Sequence, residues 1–356
     1  MLTTNKDNYI SHILINWYLI NRRILPWRET SDPYKIWISE IILQQTRVAQ
    51  GLDYFNKFID RFPDVFSLAQ ADEDEVLKYW QGLGYYSRAR NLHTAAKTIV
   101  DTYQGEFPKT FTEIKSLKGI GDYTAAAIAS FSWNLPHAVV DGNVYRILSR
   151  LFAIDTPIDT TAGKKVFAEL AAELLPDDQA GLYNQAIMDF GALQCIPQSP
   201  DCNRCPLTDH CLAFAQNEVQ SYPVKQGKTK TRNRYFHFFH IYYRDNTWIQ
   251  KRDQNDIWKG LYQFPLIETE QACDWTELQK NDEFKRLFDN CGKIKIQLIS
   301  PEIKHVLSHQ KLYATFFRVE VKNTGDLSSL FQEIKSEDLD KYAVPKLILR
   351  YLNEIM

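Results

Sequence analysis

The chain has 356 residues, 44% of them hydrophobic, and its 42 lysines and arginines nearly balance 44 aspartates and glutamates. This length predicts two domains with real hydrophobic cores. The formal net charge of -2 excludes a uniformly basic coat for nucleic acid, so any phosphate-binding face must be local. No run of 18 apolar residues occurs. The sequence therefore predicts no membrane span and no membrane partner.

Helical periodicity begins at the N-terminus. Residues 7–23 contain an apolar run that Asn16 interrupts, with no small-residue cleavage site. We therefore expect an amphipathic helix rather than a signal peptide. Further helices are predicted over residues 52–62, 72–80, 88–102, 162–175 and 180–194. Residues 111–130 are predicted to contain a turn followed by an alanine-rich helix.

The helix predicted over residues 34–46 carries the first candidate for chemistry. Asp32-Pro33 supplies its start, because proline is favoured in the first turn. Glu40 lies at the edge of the apolar stripe, where a carboxylate tends to hold its proton. From periodicity alone, the simpler interpretation of Glu40 is a solvated glutamate on the helix surface. The stripe is predicted to consist of Ile38, Ile41, Ile42 and Ala49.

Two glycine-containing turns follow. In the first, Tyr85 and Tyr86 come directly after Gly84, and such rings can stack on bases or wedge between them. A helix C-cap followed by core aromatic residues fits the same pattern. In the second turn, Gly119 and Gly121 lead into an alanine-rich helix, whose free backbone N–H groups can hold a phosphate. This G-x-G pattern is weak alone and gains weight between two helices.

Asp141 stands at a turn after two valines. We expect it to be the N-cap of a helix that starts near Asn143. A capping role and a catalytic role are compatible at this position.

Four cysteines fall within residues 195–211, with the spacing C-x6-C-x2-C-x5-C. A loop this short cannot build its own hydrophobic core, and four soft thiolates suit a [4Fe–4S] cluster or a structural zinc ion. Zinc sites usually pair their ligands in two C-x2-C clips, and only Cys202 and Cys205 form one here. A knot of two disulfides is the third alternative. Clustered cysteines suit a reducing cytosol, so a cytoplasmic location is expected.

The composition changes after the cysteines. Residues 219–234 contain five basic and no acidic side chains, and we interpret them as a linker near phosphate or simply in solvent. Aromatic and β-branched residues then predict strands over 235–243, 247–252 and 312–321, with helices over 275–290 and 345–354. The basic residues of the linker are Lys225, Lys228, Lys230, Arg232 and Arg234.

Taken together, these segments resemble the adenine DNA glycosylases of the MutY family over nearly the whole chain. The combination of motifs is hard to obtain by chance. The motifs are Leu25-Pro-Trp-Arg28, Ile38-Ser-Glu-Ile-Ile-Leu-Gln-Gln-Thr46, Gly82-Leu-Gly-Tyr-Tyr-Ser87, Gly119-Ile-Gly-Asp-Tyr-Thr124, Val140-Asp-Gly-Asn-Val144, Asn184-Gln-Ala-Ile-Met-Asp-Phe-Gly-Ala192 and the four cysteines.

The resemblance implies a fold class: an all-α helix–hairpin–helix glycosylase domain followed by an α+β Nudix-like domain. The glycosylase region would span residues 1–218, with a six-helix barrel over roughly 28–130. The cluster domain would combine residues 1–27 and 131–218. The basic linker would cover 219–234, and a Nudix-like reader of 8-oxoguanine would cover 235–356. The resemblance also implies that Cys195, Cys202, Cys205 and Cys211 hold a [4Fe–4S] cluster.

The implied activity is removal of adenine mispaired with 8-oxoguanine, and also with guanine, from duplex DNA by a monomer that flips the base out. Glu40 matches the acid that protonates adenine at N7. Asp141 matches the anion beneath the developing oxocarbenium ion. One protonated and one ionised carboxyl group is also the arrangement of glycoside hydrolases. Tyr123 and Asn143 match residues that support this pair by hydrogen bonds.

The resemblance implies further site residues. Trp27, Arg28 and Gln185 match the adenine pocket. Gln45 and Tyr85 match residues inserted into the base stack. The expected DNA contacts are Gln44, Gln45, Thr46, Tyr85, Tyr86, Lys118, Gly119 and Gly121, and the expected contacts to 8-oxoguanine are Leu307, Ser308 and His309.

Some residues depart from the family pattern. Lys118 stands where proline is usual, and Leu307 stands where phenylalanine is usual. No Nudix catalytic box follows Pro265, so the second domain is expected to bind and not to hydrolyse. Tyr123 replaces the lysine that forms a Schiff base in endonuclease III-type lyases, which predicts a monofunctional glycosylase. The competing interpretations are an endonuclease III-like lyase and a non-enzymatic DNA-bound iron–sulfur redox protein.

Overall fold

The computed structural model describes residues 4–227, 231–253 and 255–355. The chain forms two compact units. The first unit comprises residues 1–70 and 91–227, and the second comprises residues 71–90 and 228–356.

The described part of the first half is almost wholly helical, as predicted. Four further α-helices of the described residues lie after residue 270, among the strands. In chain order the α-helices of the described residues are α1 (Thr4–Asn21), α2 (Pro33–Leu43), α3 (Val48–Arg61), α4 (Val65–Gln70), α5 (Glu73–Tyr79), α6 (Ser87–Tyr103), α7 (Phe111–Ser116), α8 (Asp122–Trp133), α9 (Gly142–Leu151), α10 (Thr161–Glu173), α11 (Ala180–Leu193), α12 (Leu212–Ala215), α13 (Trp275–Leu278), α14 (Asp282–Phe288), α15 (Leu327–Leu330) and α16 (Lys346–Ile355).

The strands all belong to the second unit, where they form one mixed sheet. The central pair, residues 232–243 and 310–320, is parallel, and its other neighbours are antiparallel. This architecture confirms the predicted fold class of a helical domain followed by an α+β domain. The strands are β1 (Arg232–Tyr243), β2 (Asn246–Lys251), β3 (Tyr262–Gln263), β4 (Leu266–Thr269), β5 (Lys295–Ile299), β6 (Ile303–Val306), β7 (Gln310–Glu320) and β8 (Gln332–Lys335).

One hydrophobic core of the first unit forms where α1 packs against α11 and neighbouring helices. Tyr18 of α1, Phe167 of α10 and Phe190 of α11 are all buried in this cluster. Helix α2 is buried along almost its whole length, including Trp37, because neighbouring helices cover it on several sides. The buried side chains of Ser39 and Glu40 on α2 are therefore held in an apolar environment.

The sheet of the second unit is covered on both faces, because side chains alternate along a strand. Phe236 and Phe238 of β1 pack in the cluster that includes α16. Phe239 and Ile241 pack in a second cluster with Phe284 of α14. This two-sided burial explains why β1 reads as a nearly continuous apolar run.

Residues 71–90 pack with the second unit although they precede it by more than a hundred residues in the chain. Asp74 accepts hydrogen bonds from Lys251 and from the Tyr262 hydroxyl group. The side chain of Gln81 accepts a hydrogen bond of 3.0 Å from the backbone N–H of Val344. Sequence analysis placed this segment in the glycosylase region, since no local pattern reveals so distant a partner.

Three local predictions are wrong. The helix predicted over 34–46 ends at Leu43, and Ala49 is exposed on α3 instead of extending the buried stripe. The helix predicted over 275–290 is two short helices, α13 and α14.

The basic segment is also shorter than predicted, because β1 starts at Arg232. Arg234 is 8% exposed and pairs with Asp256 and Glu268, so it is not a free linker cation. Lys228 and Lys230, which were expected in the linker, lie outside the described residues.

Candidate active site

Glu40 lies on the buried helix α2 and is only 6% exposed. The surface interpretation that periodicity favoured is therefore wrong for this residue. Its carboxylate accepts a hydrogen bond of 2.7 Å from the hydroxyl group of Tyr123, which belongs to the first turn of α8. Desolvation by burial raises the pKa of Glu40 to about 7, against the lowering effect of this hydrogen bond. The charge of Asp141 raises the pKa further, and that of Arg28 lowers it. A carboxyl group in this environment can hold a proton near neutral pH.

Asp141 is the N-cap of α9, as predicted. Its Oδ1 atom accepts hydrogen bonds of 2.8 Å from the backbone N–H groups of Asn143 and Val144. Its Oδ2 atom accepts a third, also of 2.8 Å, from the side-chain amide of Asn143. Burial raises the pKa of Asp141 above its ordinary value, while these three hydrogen bonds act in the opposite direction and favour the anion.

Glu40 and Asp141 line the same cleft, which has a volume of about 920 Å³. Tyr123 and Asn143, the two residues that hold them, line it as well. The four side chains come from α2, α8 and the start of α9. One proton-holding carboxyl group and one carboxylate with several donors thus face a common space large enough for a nucleobase.

The three residues expected around adenine lie in this cleft. Trp27 is buried edge-to-face against Phe55, with 5.0 Å between ring centroids. The guanidinium of Arg28 pairs with Asp189. The side-chain oxygen of Gln185 accepts a hydrogen bond of 2.6 Å from the Tyr18 hydroxyl group. All three lining side chains are therefore held in place by neighbours.

The turn after α2 also borders the cleft. Gln45 is exposed and has a φ of 56°. This left-handed conformation is rare outside glycine and often marks functional sites. Gln44 donates a hydrogen bond of 3.3 Å to the Thr124 hydroxyl group, and Thr46 closes the turn on Leu43.

The glycine turn before α8 has the form expected of a phosphate-binding hairpin. Gly119 has a φ of 82°, and a Cβ atom there would come within 2.7 Å of Asn91. Gly121 is the N-cap of α8, and nothing lies within 4 Å of where its Cβ would be. Lys118 is exposed beside it. Open backbone at the start of a helix suits an anion.

In the second unit, Tyr85 contacts the turn of residues 307–309 that is expected to bind 8-oxoguanine. Its hydroxyl group lies 2.7 Å from the hydroxyl group of Ser308. Tyr85 is 49% exposed and has a φ of 47°. Leu307, Ser308 and His309 form the turn between β6 and β7, in which Leu307 packs partly against the core and the other two are exposed.

Tyr86 differs from the DNA contact expected of it. It is 4% exposed, and its hydroxyl group accepts a hydrogen bond of 3.2 Å from the backbone N–H of Gly82. Of the two tyrosines, one is thus presented at the surface and the other supports the turn, because adjacent residues in a turn point in different directions.

The four clustered cysteines line one small cavity, and all are free thiols. Burial raises the pKa of Cys205 to about 11. Within the described ranges, no group of three or more histidine, cysteine, aspartate or glutamate side chains is already arranged to hold a metal ion. The disulfide alternative has no support here, since none of these cysteines is paired.

Sequence reasoning missed two arginines of α9 that hold the cysteine loop. Arg146 donates to the backbone oxygen of Cys195 and to the side-chain oxygen of Asn143. Arg150 donates to the carbonyl groups of Ile196, Pro197 and Val219 and lies 3.4 Å from the sulfur of Cys195. The available signal was two arginines at i and i+4 on one helix face. A sequence pattern does not reveal their partners, which are backbone carbonyl groups distant in the chain.

Comparisons with known proteins decide the family. The model of the HhH-GPD superfamily base excision DNA repair protein matches residues 38–175, and that of the NUDIX domain matches residues 237–354. The chain is 41% identical over 304 residues to the adenine DNA glycosylase of Buchnera aphidicola subsp. Schizaphis graminum. The aligned region covers 84% of this chain and 85% of that protein. The chain belongs to the adenine DNA glycosylase family. It is therefore a DNA N-glycosylase, and DNA is its substrate.

Other relatives agree with this membership. The adenine DNA glycosylase of Arabidopsis thaliana is 31% identical, with 93% of this chain and 60% of that protein covered. A solved thermostable thymine-DNA glycosylase superposes with a TM-score of 0.56 at 29% identity, covering 60% of this chain and 99% of that one. Among the described residues, no helix is long and apolar enough to cross a membrane.

Proposed function

We propose that this adenine DNA glycosylase excises adenine paired with 8-oxoguanine, and more weakly adenine paired with guanine, from duplex DNA. The observation that carries the proposal is that Glu40 and Asp141 line one cleft, each held by hydrogen-bond donors. Glu40 has a pKa of about 7, whereas Asp141 is held by three hydrogen-bond donors. Cleavage of an N-glycosidic bond needs both a proton for the departing base and a negative charge near the sugar.

Glu40 is the proton donor in this mechanism. Its burial favours the neutral acid, and the hydrogen bond from Tyr123 fixes one of its two oxygens. Proton transfer to the extruded adenine makes the base a better leaving group. A positioned general acid supplies roughly 10²- to 10⁴-fold in rate.

Asp141 stabilises the positive charge that develops on the sugar. The two backbone N–H groups at the start of α9 and the Asn143 amide hold the carboxylate in one orientation. Asn143 is itself held by Arg146. A preorganised charge needs no reorganisation during the reaction, which is why such groups are effective.

The same cleft supports a monofunctional reaction, in which water and not an amine completes the hydrolysis. Tyr123 stands at the position of the Schiff-base lysine in lyases of this fold. Its hydroxyl group already donates to Glu40. A phenol cannot form an imine, so the strand is expected to remain intact after base loss.

Base flipping and lesion reading are assigned to exposed, constrained residues. Gln45 and Tyr85 both have positive φ angles, which fits side chains held outward for insertion into a base stack. Trp27, Arg28 and Gln185 would contact the extruded adenine. Ser308 and His309 are exposed on a turn and can supply hydrogen bonds to 8-oxoguanine. The remaining proposed DNA contacts are Gln44, Thr46, Lys118, Gly119 and Gly121, with Leu307 beside the lesion.

The four cysteines would hold a [4Fe–4S] cluster. Their convergence on one cavity as free thiols supports this assignment, as does the match to the HhH-GPD family. The cluster would hold together a loop that has little apolar core of its own. We further propose that the protein acts as a monomer on the DNA of the cytoplasm, with a glycosylase region over residues 1–218 and a linker that ends where β1 of the reader domain begins at Arg232.

The experiment is a single-turnover assay on matched duplexes that carry adenine opposite 8-oxoguanine, guanine or thymine. We expect the fastest release opposite 8-oxoguanine, slower release opposite guanine, and none opposite thymine. Borohydride treatment should trap little covalent protein–DNA adduct. Equal rates on all three duplexes, or efficient trapping, would contradict the proposal.

A further inference from the structure

Asp189 is a fully buried carboxylate with no assigned role, although it lies beside the active-site cleft. It belongs to α11 and is 0% exposed. Two arginines surround it. Arg28 donates to both of its oxygens, and Arg23 donates through its guanidinium and, over 3.4 Å, through its backbone N–H. Burial alone would raise the pKa of Asp189, but these contacts bring it below its ordinary value.

Arg28 links this ion pair to the cleft. Its side chain is 9% exposed, and Arg28, Arg23 and Glu40 all line the cleft. A positive charge near an acid favours the ionised form of that acid. An uncompensated Arg28 would therefore oppose the protonated Glu40 that the reaction needs.

We propose that Asp189 is a positioning residue that fixes the guanidinium of Arg28 at the adenine pocket and offsets its charge, so that Glu40 retains its proton. The proposal rests on the proposed function, because it concerns the acid of that reaction. Asp189 itself is not among the described residues that line the cleft. Its effect passes through Arg28, which is held by two hydrogen bonds in one orientation.

Among the described residues, the charged or titratable groups that act on Glu40 are Tyr123, Asp141 and Arg28. Tyr123 of α8 donates a hydrogen bond to it, and Asp141 faces it from the start of α9. The remaining influence comes from Arg28. Around Asp189, the neighbouring groups are Arg23, Arg28 and Tyr18, whose ring lies 5.7 Å from the Arg28 guanidinium.

The test is the pH profile of single-turnover adenine release by Asp189→Asn, which removes the charge and keeps the shape. Activity should fall at lower pH than in the wild type, with the midpoint moved down by about one pH unit. Release at pH 8 would then drop about tenfold, while release at pH 5.5 would change little. A role confined to folding would lower the rate at every pH equally and leave the midpoint in place.

Asp256→Asn is the matched control. Asp256 also bridges two arginines, Arg234 and Arg252, but it lies in the second unit. Its loss should leave the pH midpoint where it is in the wild type. If Asp256→Asn moves the midpoint as far as Asp189→Asn does, the proposal is overturned.

A second variant covers the case in which Asp189→Asn does not fold. Arg28→Gln removes the positive charge and leaves Asp189 paired with Arg23, so the midpoint should move to higher pH. An unmoved midpoint in either folded variant overturns the proposal. Adenine release by the wild type from the 8-oxoguanine duplex is measured first. Its absence would contradict the proposed function itself, whereas an unmoved midpoint contradicts only this inference.

Discussion

The hydroxyl group of Tyr123 donates a hydrogen bond of 2.7 Å to Oε2 of Glu40. This contact joins α8 to α2. It lowers the pKa of the Glu40 carboxyl group, whereas burial raises that pKa. The final pKa of about 7 is therefore a balance between two opposing effects. Because the proposed general acid needs its proton, we expect this balance to set the pH range of activity.

Base release should decline as the pH rises through about 7, since Glu40 is protonated below its pKa and ionised above it. The measurement is the single-turnover rate between pH 5.5 and 8.5. Glu40→Gln should be at least about 10²-fold slower and lose this decline, because an amide does not titrate in this range. A variant within a few-fold of the wild type would reject Glu40 as the acid.

Tyr123→Phe should move the midpoint of the pH profile upward by about one unit, because it removes a hydrogen bond that favours the ionised carboxylate. The rate at low pH should also fall, since Glu40 is less firmly oriented. Tyr183→Phe is the control. Its hydroxyl group is buried and has no hydrogen-bond partner among the described residues, so the profile should not move. A downward movement in Tyr123→Phe would contradict the geometry.

Asp141→Asn should separate stability from activity. Asparagine caps a helix about as well as aspartate, so the free energy of unfolding should change by less than about 1 kcal/mol. Adenine release should fall by about 10²-fold or more, because the negative charge is lost. Thermal unfolding and single-turnover rates measure the two effects. Asp274→Asn, at the N-cap of α13, should leave both nearly unchanged. Unimpaired release by Asp141→Asn would remove the aspartate from the mechanism.

Arg150→Met should lower the iron and acid-labile sulfide content of the purified protein. Arg150 is 2% exposed, and its loss leaves two loop carbonyl groups and that of Val219 without this donor. Arg204→Met changes an arginine on the same loop whose side chain is 87% exposed, and it should keep its iron. Wild-type protein that contains zinc and no sulfide would reject the cluster.

Ser308→Ala should reduce the preference for 8-oxoguanine over guanine by about tenfold and slow the chemical step much less. One good hydrogen bond to a base edge is worth roughly 1–3 kcal/mol of discrimination. The measurement is the ratio of rates on the two duplexes. Ser329→Ala, an exposed serine of the same unit that bonds only to Asp326 in the described structure, serves as the control. An unchanged ratio would assign lesion reading elsewhere.

Local chemistry made parts of this molecule predictable. A few consecutive residues were enough to predict the Asp32-Pro33 helix start, the Asp141 cap and the G-x-G turn, because caps and turns depend on neighbours in sequence. Glu40 was harder, since its burial comes from helices that pack around α2 and not from the period of α2 itself. Periodicity described a solvated residue, and only the family resemblance pointed to an acid.

Long-range contacts account for what sequence reasoning missed. The strands β3, β4, β5, β6 and β8 are five residues or shorter and offered too little pattern. Arg234 was interpreted as part of the basic linker because its partners, Asp256 and Glu268, lie beyond that segment. Asp189 gave no signal, since a carboxylate among apolar residues is informative only once the two arginines are seen beside it.

The second unit is assembled from two separate stretches of chain, residues 71–90 and 228–356. Removing the chain after residue 227 would thus do more than delete the proposed reader domain. Asp74 and Gln81 would lose the Tyr262 and Val344 groups that anchor them, and the Ser308 hydroxyl group would no longer meet Tyr85. Such a truncation would consequently disturb Tyr85, which we propose enters the base stack, besides removing the domain that we propose reads the lesion.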